Sequence, residues 1–194
     1  GVFEMCPEGL VGVENPSDIF LSERPADSPG SIIVSSMEGS RPLLVEVQAL
    51  VTSSSSIGMP RRMSAGFDHN RTSLLVAIME KRLGMNLQGE DIFVNIVGGL
   101  KISEPAVDMG VAAAIAGSFR NQSVGPHTVI IGEVGLTGEV RSVMQLETRL
   151  TEVERLGFKR CVFPRSGKED KLINKNSSLS LIPVKTLSEA FDAV

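Results

Sequence analysis

The sequence predicts an α/β chain, arranged as α+β in two layers, and three observations carry that prediction. Apolar strand-like runs alternate with helix-like ones from residue 31 to residue 194. The first two strands of that region follow each other across a short polar turn, as hairpin strands do. Between Ile92 and Glu147 a strand, a Gly-Gly turn, a small-residue helix, a Gly-rich hairpin and a second helix succeed one another. That last stretch organises the rest. Pro105 suits a first helical position, and the Ala and Gly run behind it specifies a helix lying very close to a sheet.

Taken in order, residues 1–29 lack the pattern of a domain's beginning and read as the tail of a preceding unit with a linker, whereas 30–194 read as the domain itself. Val2–Met5 is extended, Gly9 interrupts the next apolar run, and Asn15–Leu21 turns into about one turn of helix. Pro25, Pro29 and Gly30 punctuate a linker over 23–30. Strands are expected over 31–36 and 43–51, the second alternating apolar and polar as a half-exposed antiparallel strand does. Residues 52–56 form a flexible polar loop, and 59–63 a further short strand. Asp68 or Asn70 caps a helix from about residue 71 to 83, with Leu74, Leu75, Ile78, Met79 and Leu83 as its apolar stripe and Gly84 as its end. After the strand at 92–97 come the Pro105 helix and a Gly-Glu hairpin over 129–141. A helix through Leu150, Val153 and Leu156 closes at Gly157. Strands at 160–164 and 179–184, separated by a polar loop to Ser178, precede a last helix over 188–194. No internal repeat is visible.

Composition narrows the class. A chain of 194 residues with 42% hydrophobic and 22% charged side chains is one globular domain with a short appendage, able to bury a real core. Aromatic residues make up only 4%, with no Trp or Tyr, which argues against a base-stacking platform. The net charge of −4 argues against a protein that coats nucleic acid uniformly but permits a local basic patch. Cys6 and Cys161 stand alone, so a reducing, cytoplasmic setting is expected and no metal cluster. There is no membrane-length apolar run and no signal peptide, and the chain reads as part of something longer.

The order strand, Pro-led helix, Gly-Glu hairpin, helix, then Gly157-Phe158-Lys159 and a strand ending at Pro164 resembles the proteolytic domain of Lon proteases over roughly residues 30–194. That resemblance implies the Lon proteolytic-domain fold, also described as ribosomal protein S5 domain 2-like. In that family a Ser within Gly-Pro-Ser-Ala-Gly is the nucleophile, and a Lys within Gly-Gly-Leu-Lys is the base, effective when burial lowers its pKa. Laid on this chain, Ala106 in Glu104-Pro105-Ala106-Val107-Asp108 takes the nucleophile's place, and Glu147 takes the place of the Lys. Neither can do that chemistry, so no catalytic residue is expected. Ser64-Ala65-Gly66 and Gly98-Gly99-Leu100-Lys101 mimic the two motifs but precede the wrong helices. Ser64 and Lys101 are therefore read as turn residues in separate places.

A more specific resemblance spans the whole chain. Asn15-Pro16-Ser17, Ile19-Phe20-Leu21-Ser22-Glu23-Arg24-Pro25, Pro60-Arg61-Arg62, Gly66-Phe67-Asp68-His69-Asn70-Arg71 and Gly132-Glu133-Val134-Gly135-Leu136-Thr137-Gly138-Glu139 are similar to segments of the bacterial RadA (Sms) DNA-repair family. Proteins of that kind join a four-cysteine zinc finger, a RecA-like ATPase and a Lon-like domain. The resemblance makes residues 1–29 the tail of the ATPase core. It also implies ATP, Mg and Zn for the longer protein, hexameric rings, and action on single-stranded or branched DNA in recombination. Here no Gly-x-x-x-x-Gly-Lys-[Ser/Thr] occurs, so no cofactor is expected on this stretch.

Residues 61–82 hold Arg61, Arg62, Arg71, Lys81 and Arg82 against Asp68 and Glu80, which is +3 inside a chain of −4 and leaves −7 for the rest. Such asymmetry suits a phosphate-contacting face. Arg61, Arg62, Arg71 and, from the Gly-Gly turn, Lys101 are the expected DNA contacts. The plainer alternative is a solvated face with Arg71 or Arg82 held in ion pairs. His69 reads as a cap or packing group and His127 as a loop residue. The expected function is a non-proteolytic scaffold that supports ring assembly and touches DNA. A residual Ser-Lys peptidase and a purely structural oligomerisation module are the other two readings.

Overall fold

A computed structural model describes residues 3–7, 9–13, 16–21, 27–54, 59–167 and 178–194. Val2, Asn15, the linker residues 22–26, Ser55–Ser56 and the greater part of the polar loop before Ser178, all named above, lie outside the described residues.

The chain opens with a hairpin of β1 (Phe3–Cys6) and β2 (Gly9–Gly12), then a short helix α1 (Pro16–Leu21). The domain follows: β3 (Ser31–Glu38), β4 (Arg41–Ser53), β5 (Arg62–Ala65), α2 (His69–Leu83) and β6 (Glu90–Ile96). Single 3-10 turns at Val97–Gly99 and Pro105–Val107 lead into α3 (Asp108–Arg120). Then come β7 (Thr128–Ile130), the small hairpin β8 (Glu133–Val134) and β9 (Val140–Arg141), and α4 (Leu146–Arg155). β10 (Arg160–Pro164), β11 (Ser180–Val184) and α5 (Leu187–Asp192) close the chain. Seven strands form one mixed sheet in the order β11-β10-β7-β3-β4-β6-β5. The β3–β4 and β4–β6 pairs are antiparallel and the rest parallel. This is the α/β class the alternating pattern predicts.

Strand alternation divides the core. Ile32, Val34, Val45, Val47 and Ile130 face α2, α3 and α5, while Ile33, Leu44, Val129 and Phe163 face α4. The half-exposed strand expected at 43–51 is corrected here: Pro42–Val47 is buried on both faces, because helices cover both sides of the sheet at that point. Even Glu46 is only 2% exposed, with its carboxylate accepting from Ser31 Oγ at 2.6 Å. On α2 the buried stripe holds Leu75, Val76, Ile78 and Met79, whereas Leu74 is exposed. Asp68 is the cap, accepting from Arg71 N at 2.7 Å, and Gly84 ends the helix in the left-handed region at φ 65°. The short strand expected at 59–63 begins later, at Arg62, because it pairs in parallel with β6 from Ile92 onward.

The small residues of α3 serve close approach. A Cβ on Gly110 would land on Val34 Cγ1 of β3. Substituting Gly110→Val gains only a few tenths of a kcal/mol in helix propensity. Overpacking costs about 1–3 kcal/mol, so the variant is expected to be less stable by urea denaturation. An unchanged unfolding midpoint would contradict this packing.

Candidate functional site

The site is built at the head of α3, from Glu104 to Asp108. Pro105 opens the 3-10 turn, and Glu104 before it is extended, as a residue preceding proline must be. The Glu104 carboxylate accepts from Met37 N at 2.9 Å and forms an ion pair with Arg149 of α4. The fully buried Arg149 also donates to Ser35 O at 2.6 Å and Met144 O at 2.9 Å. One turn later, Asp108 is fully buried and forms a two-point ion pair with Arg71 of α2. Asp108 also accepts from Val134 N at 3.2 Å, and Arg71 donates to Val134 O at 2.8 Å. Burial pushes the Asp108 carboxyl above its ordinary value, against the pull of Arg71. The hydrogen bond to Asp108 raises the Arg71 guanidinium further. Gly132 completes the clasp, donating to Ala106 O at 2.7 Å and accepting from Met109 N at 3.0 Å.

Beside this head lies a cleft of about 670 Å³. One wall runs from Ser64 through Gly66 to Asp68, the other from Lys101 to Pro105, with Arg71 and Asp108 beneath. The walls are tied where Ile102 N donates to Gly66 O at 2.8 Å. Gly66 is required there, since its φ is +76° and a Cβ would strike the Leu100 carbonyl. The expectation that Ser64 and Lys101 are turn residues in separate places is corrected. Ser64 sits in β5, and both line this one cleft, because the parallel β5–β6 pair carries the loops after both strands to the same end. The Ser64 hydroxyl lies 2.8 Å from Thr72 Oγ1, which donates to the Asp68 carbonyl.

The other expected positions scatter. Ala106 is buried and Glu147 exposed in the first turn of α4, and neither lines the cleft. Arg61 keeps 60% of its side chain exposed while pairing with Asp91 at 3.0 Å and lying over the Phe93 ring. The Arg61 backbone N–H, first among several partners, holds the Asp91 carboxyl below its ordinary value. Arg62 donates to the carbonyls of Leu87 and Glu90, and Arg71 is in the buried pair, as the ion-pair alternative for that residue had it. Lys101, Lys81 and Arg82 are exposed. His69 is exposed at the start of α2, and the His127 carbonyl accepts from Lys159 and Arg160. The Cys161 thiol is buried and its pKa driven up by that burial. Sequence reasoning missed Arg149, although its place among Leu146, Leu150 and Val153 on the apolar stripe of α4 was a legible signal. Among the described residues, no group of three or more His, Cys, Asp or Glu is placed to hold a metal ion, and no helix is long and apolar enough to cross a membrane.

By fold and site this is an α/β domain on a mixed seven-stranded sheet, with an open cleft at the head of its central helix. The chain belongs to the ChlI family, whose model, described as subunit ChlI of Mg-chelatase, matches residues 47–167. Relatives named DNA repair protein RadA are similar along nearly its whole length. That of Halalkalibacterium halodurans is 51% identical over 192 residues, covering 99% of this chain and 41% of the relative. That of Bacillus subtilis is 50% identical over 190 residues, covering 98% and 41%. That of Listeria monocytogenes is 45% identical over 190 residues, with the same coverage. The chain thus spans about two fifths of the length of these relatives.

Two predictions come from these contacts. Asp108→Ala leaves Arg71 partly buried without its counter-charge, and removing one partner of such a pair costs about 3–5 kcal/mol. Thermal melts of this variant and of the Arg71→Met, Asp108→Leu double variant check it. The double variant is expected to recover much of the loss. In the β8–β9 hairpin, the hydroxyl of Thr137 holds the Glu139 carboxyl down to about 2. That folded value lies below the unfolded one, so the carboxylate's stabilising contribution is present at neutral pH and lost as pH falls through about 2. An NMR titration is expected to place the Glu139 midpoint there, and Thr137→Val to move it upward.

Proposed function

We propose that this chain is a non-proteolytic, Lon-like scaffold domain of a RadA-type DNA-repair ATPase, supporting ring assembly and touching DNA during recombination. The observation that carries the reading is the near full-length similarity, up to 51% identity, to proteins named DNA repair protein RadA. The site chemistry agrees with it. Ala106 offers no nucleophilic atom and is buried beneath Gly132, and Glu147 offers a carboxylate where the Lon pattern has an amine. ATP, Mg and Zn belong in this proposal to the longer protein.

Arg61, Arg62, Arg71 and Lys101 remain the proposed DNA-facing set, with unequal parts. Arg61 and Lys101 present exposed cations, while Arg62 is engaged by the carbonyls of Leu87 and Glu90 and Arg71 by Asp108 and the Val134 carbonyl. A modest cationic surface of this kind, repeated around a ring, sums to many phosphate contacts. Arg61→Ala is expected to weaken binding to single-stranded and branched DNA and to reduce the salt slope by about one. Fluorescence anisotropy across a salt series measures both. Unchanged affinity and slope, with folding and assembly intact, would remove Arg61 from the interface. Ser64 and Lys101 on one cleft also make the peptidase reading testable. No labelling by a serine-reactive phosphonate is expected, and labelling that disappears in Ser64→Ala would restore that reading.

A further inference from the structure

The cleft at the head of α3 has a charge balance that its list of acids conceals. Three carboxylates border it, yet Asp108 is matched by Arg71 from within and Glu104 by Arg149 from behind. Asp68 is occupied as the cap of α2. Lys101 stands on the opposite wall, exposed, and among the described residues its ammonium has no carboxylate partner. Ser103 and Ser64 also line it, the Ser64 hydroxyl bonded to Thr72 Oγ1, and Arg71 keeps 27% of its side chain exposed. What remains around this open space is the Lys101 ammonium, the Ser103 hydroxyl and the exposed edge of Arg71, with Asp68 the one bordering acid that has no cation partner among the described residues.

We infer that this cleft binds a phosphate group, with Lys101 supplying the charge and the Ser103 hydroxyl an orienting hydrogen bond, while the Ser64 hydroxyl is held by Thr72 on the facing wall. An ammonium, a guanidinium edge and a hydroxyl lining one space fit a tetrahedral oxyanion, whose several oxygens accept charge-assisted hydrogen bonds in different directions. The volume, about 670 Å³, admits a phosphate with its attached sugar and base rather than the bare anion alone. Two sources carry that chemistry: a phosphodiester of a DNA strand or the phosphates of a free nucleotide. The first rests on the DNA reading above; the second does not.

Amide NMR of the chain distinguishes them, with ADP and a fluorescein-labelled single-stranded oligonucleotide as separate probes. The expected result is that both probes shift Ser64, Lys101 and Ser103. Lys101→Glu is expected to lower oligonucleotide affinity by about tenfold, the worth of one charged hydrogen bond. Lys101→Arg keeps it. Lys101 is exposed, so an unchanged thermal melt shows that the variant is folded. Shifts with ADP and none with the oligonucleotide would support the phosphate site and assign it to a nucleotide. If neither probe shifts the cleft, the inference is overturned. It is likewise overturned if ADP shifts nothing in the cleft and Arg61→Ala weakens DNA binding while Lys101→Glu does not, an outcome that leaves the DNA reading standing.

Discussion

Two carboxylates at the start of one helix, Asp108 fully buried and Glu104 partly so, hold this structure together. Taking a charge out of water costs several kcal/mol unless a counter-charge and further hydrogen bonds replace the lost solvent. Glu104 and Asp108 meet that requirement through arginines from different helices, Arg149 on α4 and Arg71 on α2. The arginine heads in turn need acceptors, which the carbonyls of Ser35, Met144 and Val134 supply. Five residues of chain thereby fix the positions of α2, α4, β3 and the β8–β9 hairpin around α3. The apolar core supplies the larger share of stability by area, but it is non-directional. These ion pairs, with the one close approach of Gly110 to Val34, give α3 a single seat on the sheet.

The same arrangement accounts for what the head of α3 can and cannot do. Ala106 is buried, and its carbonyl accepts from Gly132 N. The open volume lies to the side, between the loops that follow β5 and β6. Those strands run parallel, and parallel neighbours deliver their outgoing loops to the same end of a sheet, where α/β proteins place their ligands. Asp108 and Glu104 on its border are each paired with an arginine, and Asp68, Lys101 and Ser103 are the exposed polar residues left along it.

Charge counting along the sequence located a basic segment but could not say which of its cations face outward. The +3 of residues 61–82 divides into Arg61, Lys81 and Arg82, exposed, and Arg62 and Arg71, drawn inward by carbonyls and a buried carboxylate. The half-polar reading of β4 failed for a related reason: Glu46 looks solvent-facing in a pattern, yet Ser31 and Gln48 satisfy it under a second helical layer.

By itself the sequence determined the α/β class, the cap of α2 to within Asp68 or Asn70 and its end at Gly84, the Pro105 start and small-residue character of the central helix, and the family likeness. All of these are set by neighbours a few residues apart, through backbone preference, local hydrogen bonds and periodicity. Tertiary structure alone decided that Ser64 and Lys101, 37 positions apart in sequence, share one cleft, and that Glu104 is the partner of Arg149. Both depend on which loops the sheet order brings to one end and which charges meet on burial. Pairings across such separations leave no periodic trace in a single chain.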